Sequence, residues 1–371
     1  MKIILKLVCI LAIGSFMAGS TLYSQTIPFG DARWEISGVE NKIENYLGKK
    51  SLYLKGGQAL IKDSDFTNGI IEFKIAFTGE RGFMGAVWRL EDENNYEEFY
   101  LRPHQSGNPD ANQYTPVFNG ISGWQLYYGE DYASPVKYKF NQWNIVKIIV
   151  SGKYAEIYIN DMNTPALFVN ELKLNVKSGK VGLECSNFTP VHFADFEYKT
   201  IENPKLKNKP KLAMNLPENV IENYSVSSHF KEEKLNHKYL LTKDEKEKLN
   251  WTKINCETTG FVNLARIQGI KEGLNTAFAR VIINSDKDQY KKVSFGYSDR
   301  VKVYLNDKLE YSGQNNYQSR DYRYLGTIGF FDDVYLPLKK GENELMFAVS
   351  ESFGGWGIMA RIENMDEISI R

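Results

Sequence analysis

Three cysteines in 371 residues are too few to staple this chain together. Cys9 lies in a leading apolar run, while Cys185 and Cys256 stand far apart and read as small buried hydrophobes, not as a bridge. An exported domain held by disulfides would carry more, so stability must come from hydrophobic cores, and about 350 residues suffice for two. Histidine is scarce, at four, and no Cys/His cluster has metal-ligand spacing. No metal site and no cofactor are therefore expected; calcium is conceivable, but nothing in the sequence indicates it. Charge of one sign is also missing, since 46 basic residues face 46 acidic ones, which argues against nucleic acid as a partner. After the first residues no apolar run approaches the roughly 20 residues of a membrane span.

The chain opens "MKIILKLVCILAIGSFMAGSTLYSQTIPFG". Lys2 and Lys6 precede an apolar run from Leu7 to Ala18, followed by small and polar residues, the layout of a secretory signal peptide. Residues 1–24 are assigned to it, with cleavage expected near Ser24 and Gln25 and a mature net charge of about −2. The implied location is secreted, periplasmic or cell-surface.

Short alternating runs fill residues 50–198, among them "SLYLKGG", "GIIEFKIAFTG", "GFMGAVWRL", "EEFYLRP", "WQLYYGE", "WNIVKIIVSG" and "KVGLECS". Their length, β-branched and aromatic content and Gly/Asn/Asp punctuation are strand signals. Residues 200–220, rich in Lys, Asn and Pro, read as a linker. Strands then resume with "FVNLARI", "TAFARVIINS", "KKVSFGYS", "DDVYLPLK" and "NELMFAVSE"; "YLNDKLEYSG" reads as a hairpin closed at Asn306 and Asp307. The expected fold class is all-β: two β-sandwich (jelly-roll) domains after the signal peptide, at 25–199 and 221–371.

The stretch "NYEEFYLRPH" is unusual on both of its faces. Strand alternation places Glu97, Phe99 and Leu101 on one face and Tyr96, Glu98, Tyr100, Arg102 and His104 on the other. The second face has the makings of a sugar platform. Tyrosines two apart can stack on a pyranose, while Glu98, Arg102 and His104 can bond hydroxyls or a uronate carboxylate. A cross-strand ladder, with Glu98 pairing Arg89 or Arg102, accounts for the same residues. Arg89 joins this face if Met84, Ala86 and Trp88 point into the core. The following segment, "QSGNPDANQYTPVFNGISGW", reads as a long polar loop whose Asp110, Asn112, Gln113, Tyr114, Asn119 and Trp124 can wall one end of a groove.

Catalysis on a sugar would require two converging carboxylates. Glu98 is one candidate, and Glu91, Asp92, Asp110 or Glu130 could be its partner; His104 is a candidate base. In the second domain Arg320 and Asp321, beside Arg323 and Tyr324, form either a secondary sugar contact or an Arg–Asp network that anchors a loop. Trp356 reads as a core residue.

The succession "FTNGIIEFKI", "GFMGAVWRLEDENNYEEFYLRPH", "WNIVKIIVSGKYAEIYIND" and "SGKVGLECSNFTPVHFADFEY" resembles the concanavalin A-like lectin/glucanase fold. It especially resembles laminin-G-like and 3-keto-disaccharide hydrolase-like domains, although the paired-glutamate strand of the fold's glucanases is absent. "FGYSDRVKVYLNDKLEYSG" with "LPLKKGENELMFAVSESFGGWGIMARIE" resembles galactose-binding-like jelly rolls. Together these imply an exported carbohydrate-binding protein that takes a glycan or oligosaccharide on a concave face of domain one, with domain two an accessory binder or spacer. A glycoside hydrolase or 3-keto-glycoside-cleaving enzyme using Glu98 and His104, and a protein-binding adhesion module, are the alternatives.

Overall fold

The computed structural model describes residues 26–211, 215–321 and 323–371. The expected signal peptide lies outside them. Between Trp34 and Thr200 twelve strands pair antiparallel: β1 (Trp34–Tyr46), β2 (Lys49–Ile61), β3 (Gly69–Ala76), β4 (Met84–Asp92), β5 (Asn95–Leu101) and β6 (Asn112–Phe118). Then come β7 (Ile121–Ser122), β8 (Asn144–Ser151), β9 (Tyr154–Ile159), β10 (Leu167–Val169), β11 (Lys180–Cys185) and β12 (Val191–Thr200). The sheet runs β10-β9-β8-β3-β12-β2-β11-β4-β5-β6-β7, with β1 beside β2. Strands from across this sheet share one core, where Phe73 and Ile75 of β3 and Val146 and Ile148 of β8 join Trp88 of β4 and Phe99 of β5.

The C-terminal part forms two facing sheets. One contains β13 (Asn223–Ser227), β14 (Trp251–Asn255), β16 (Thr276–Ser285), β18 (Arg300–Leu305), β19 (Lys308–Gln314), β21 (Gly341–Ser350) and β23 (Ile368–Ile370). The other contains β15 (Phe261–Asn263), β17 (Gln289–Ser298), β20 (Asp332–Leu338) and β22 (Gly357–Ile362). Val281, Leu345 and Phe347 of the first sheet pack against Val293, Phe295 and Ile358 of the second, the arrangement expected when each sheet has one apolar face. Asn306 and Asp307 close the β18–β19 hairpin with φ of 48° and 72°, the left-handed values Asn and Asp tolerate. Trp356 is fully buried and donates its indole N–H to the Val349 carbonyl. Both described cysteines are free.

Three sequence expectations need correction. The segment after β5 is not a long loop: Asn112–Phe118 pairs with β5 over six residues as β6. "WQLYYGE" is no strand; Gln125, Leu126 and Tyr127 form a buried turn, with Leu126 and Tyr127 both bonded back to the Gly123 carbonyl. In "FVNLARI" only Phe261–Asn263 is strand, and a 3-10 turn follows over Leu264–Arg266.

That turn locks the two parts of the chain together. Leu126 and Tyr127 share an apolar cluster with Phe261, Ile328 and Met359. Gln125, fully buried, bonds the C-terminal part through its backbone and its side chain. Its N–H donates to Gly354 O (2.8 Å) and its carbonyl accepts from Ile328 N (3.1 Å). Its side-chain amide donates to Leu325 O (2.7 Å) and accepts from the Ser298 hydroxyl (3.0 Å). Gly354 has to be glycine here: its φ is +116°, and a Cβ would lie 2.2 Å from Gln125 Oε1.

Replacing Gln125 by Leu keeps the volume and removes its side-chain bonds to the Leu325 carbonyl and the Ser298 hydroxyl, at a cost of about 1–3 kcal/mol. The urea midpoint of Gln125→Leu should therefore fall well below that of the wild type. An unchanged midpoint would show that the amide does not hold the two parts together.

Candidate functional site

β5 is buried on both faces, so alternation delivers two different environments. Phe99 and Leu101 enter the core. Glu97 goes with them; its carboxylate accepts from the Tyr114 hydroxyl (2.6 Å) and from Leu174 N (3.1 Å). Burial pushes the Glu97 carboxyl up to about 7, against the pull of those bonds and of Arg89 and Lys173. On the opposite face Tyr96, Glu98, Tyr100, Arg102 and His104 all line a cavity of about 380 Å³. Neighbouring strands complete it: β11 adds Glu184 and β7 adds Ser122, with Phe83, Phe188 and Trp124 around them.

The polar centre of the cavity is a pair of carboxyl groups. Glu98 and Glu184 both line it, near enough for the charge of one to bear on the other. The Ser122 hydroxyl donates to Glu98 Oε1 (2.7 Å), and the Gln58 amide (2.7 Å) and Tyr96 hydroxyl (3.3 Å) donate to Glu184 Oε2. Burial, and then the Glu184 charge, push Glu98 well above the usual carboxylate range, because two close carboxylates in a dry site resist ionising together. Arg102 is already committed: it donates to Asp110 O (3.0 Å), to the Tyr100 hydroxyl (3.1 Å) and to Gln113 Oε1. Burial, with Arg81 and Arg102 nearby, lowers the His104 pKa. Two buried ring nitrogens of lining residues, His104 Nδ1 and Trp124 Nε1, have no hydrogen-bond partner among the described residues.

Aromatic rings surround that centre. Phe83 packs edge-on against Tyr100 (5.7 Å), His104 (5.6 Å) and Phe188 (5.7 Å). Arg81 lies over Phe188 at 5.1 Å. Trp124 contacts Phe353 (5.7 Å) and Tyr317 (6.5 Å), which, with Leu325, are C-terminal residues lining the same cavity.

Several sequence expectations land elsewhere. Met84, Ala86 and Trp88 do enter the core, but Arg89 does not lie on the pocket face. A register shift follows Trp88, Arg89 adopts φ +49°, and its buried guanidinium bonds Thr67 O, Asn68 Oδ1 and Gly152 O. Tyr114 is core, bonded to Glu97. Gln113 sits behind the pocket, where its amide accepts from Tyr100 and Arg102 and donates to the Trp124 and Tyr127 carbonyls. Asn112 bonds Ser134 and Asn119 bonds Ala265 O. Of the carboxylates proposed as partners of Glu98, Asp110 lines the cavity, whereas Glu91 is salt-bridged to Lys177 and Asp92 caps the β4–β5 turn. The actual partner, Glu184, had a faint signal: alternation in "KVGLECS" sets it opposite Val181, Leu183 and Cys185. Arg320 is held by Asp332 (2.5 Å) and Asp321 by the Arg323 backbone and side chain. Neither lines the cavity, although Tyr317 and Leu325 of the same segment do.

Among the described residues no cluster of three or more His, Cys, Asp or Glu could hold a metal ion, and no helix is long and apolar enough to cross a membrane. No family model matches the chain, and no curated protein matches it. Solved structures are similar to part of it. The carbohydrate binding module CBM66 from Bacillus subtilis is 14% identical with a TM-score of 0.35, over 45% of this chain and 96% of that one. A protein with a galectin-like fold, also from Bacillus subtilis, is 13% identical with a TM-score of 0.37, over 49% and 97%. A xylan β-1,4-xylosidase from Bacillus halodurans is 14% identical with a TM-score of 0.34, over 47% and 38%. Likenesses at these values assign neither ligand nor reaction to this chain.

The raised Glu98 carboxyl has a measurable consequence. Its pKa lies above the unfolded value of about 4.5, so the folded chain binds this proton more tightly than the unfolded chain does. The stability it contributes is whole below about pH 4.5 and is lost as pH rises toward the folded value. Glu98→Gln keeps the shape and cannot ionise, and Glu97 titrates alike in both proteins. Thermal denaturation should find the variant close to wild type near pH 4 and more stable than wild type near pH 8. A difference independent of pH would contradict the assignment.

Proposed function

We propose that this cavity binds a carbohydrate and that the chain is an exported glycan-binding protein. The observation that carries the reading is the composition of the cavity: carboxyl, hydroxyl and imidazole groups in the centre, ringed by Phe83, Tyr100, Trp124 and Phe188. Sugars present that same combination, an apolar ring face edged by hydroxyls. The site lies on the N-terminal sheet, as domain one of a two-domain protein, with the concanavalin A-like and galactose-binding-like assignments and the 200–220 boundary belonging to the same proposal. Neither calcium nor another cofactor enters it.

The central pair, Glu98 and Glu184, gives the cavity carboxyl oxygens that can meet sugar hydroxyls.

A glycan array on residues 26–371, followed by calorimetry on the glycans retained, tests the reading. Trp124→Ala should weaken binding by about 1–3 kcal/mol with the fold intact, since large aromatics dominate such contacts. Glu98→Gln should retain most of the affinity. Absence of glycan binding, or unchanged affinity in Trp124→Ala, would overturn the proposal. Product formation that collapses in Glu98→Gln would make the protein an enzyme instead.

A further inference from the structure

The cavity changes character along its length. Its inner part is charged and hydrogen-bonding, whereas its C-terminal contribution is Tyr317, Leu325 and Phe353, which carry no charge. These three stand out in solvent, at 40%, 37% and 65% exposure. The backbone around Leu325 and Phe353 is held: Gln125 bonds the Leu325 and Gly354 carbonyls, and Asp299 Oδ2 accepts from the backbone N–H groups of Ser352 (3.0 Å) and Phe353 (3.3 Å). Apolar side chains fixed in water beside a cavity mark a surface that something covers.

Resting on the sugar reading above, we infer that Phe353 and Tyr317, with the outer edge of Trp124, form a second subsite, so that the ligand is a chain of at least two sugars spanning both parts of the protein. Trp124 connects the two subsites, since it lines the cavity and touches both Phe353 and Tyr317. On this reading the first ring sits against the polar centre, Glu98, Ser122 and Glu184, and the next ring of the same chain lies over Phe353. Because this subsite offers ring faces and only one hydroxyl, that of Tyr317, it reads the presence of a second sugar more than its identity. The C-terminal part is then a wall of the site, and its role is to set the length of the ligand.

Calorimetry on residues 26–371 with glucose and cellobiose, xylose and xylobiose, galactose and β-1,4-galactobiose, and mannose and β-1,4-mannobiose tests this. For each sugar type that binds, the disaccharide should bind about tenfold tighter than the monosaccharide. Phe353→Ala should erase that gain and leave monosaccharide affinity within about twofold of wild type, as expected for truncation of an exposed side chain. Tyr317→Ala should reduce the gain in the same selective way. Equal affinity of wild type for both members of a pair would overturn the second subsite, as would a Phe353→Ala variant that weakens both members alike or neither. A glycan retained on the array outside these types is compared with its own monosaccharide in the same way; if the array retains none and none of the eight sugars binds, the sugar reading of the cavity falls, and this inference with it.

Discussion

The site depends on two buried glutamine amides that clamp one turn from opposite sides. Gln113, on β6, donates to the carbonyls of Trp124 and Tyr127 from within the N-terminal sheet. Gln125, inside the turn, reaches outward to Leu325, Gly354, Ile328 and Ser298. A buried amide left unpaired is costly, and one fully paired admits few alternative geometries. Between them the two amides fix Trp124 relative to Tyr100 and Arg102 on one side, and relative to Phe353 and Leu325 on the other. The cavity therefore belongs to neither part of the chain alone.

β5 carries a second constraint, adjacent carboxylates that are both buried. Glu97 lies on the core side with Tyr114, and Glu98 on the cavity side with Ser122 and Glu184. Burying a charge is unfavourable unless it is paired or neutralised, and the two residues meet that demand differently. Glu97 is held by a hydroxyl, a backbone N–H and the nearby Arg89 and Lys173 charges. Glu98 has a second acid as its neighbour, and burial together with that neighbour pushes its carboxyl well above the usual range instead. Its side of the strand places polar groups in an aromatic-lined cavity, an arrangement suited to hydroxyl groups.

Part of this was legible in the sequence. Period-2 alternation in "NYEEFYLRPH" separated core from cavity residues by itself, because both faces of one strand obey a local rule. Strand signals likewise marked the all-β class. Arg89 was misplaced because the irregularity after Trp88 shifts the register, and a single shifted residue sends its side chain to the other face. Gln113 and Tyr114 lie in a stretch whose Gly, Pro and Asn read as loop and mask a strand that β5 stabilises by pairing. Glu184, Phe353 and Tyr317 join the site through contacts between distant segments, and no local pattern announces those. For the same reason the C-terminal part read as accessory or spacer, although it supplies one wall of the cavity.

The central claim is that a glycan enters the cavity beside Trp124, and the six tryptophans of the chain provide the probe. Trp34, Trp88 and Trp356 are core residues, and Trp143 and Trp251 lie outside the cavity lining. Titration of the nitrogen-15-labelled protein with a glycan retained on the array, followed through the indole N–H resonances, isolates the one ring in question. The account expects the Trp124 resonance to move with saturation while the other five stay in place. A saturable shift at Trp143 or Trp251 with Trp124 unmoved would contradict it.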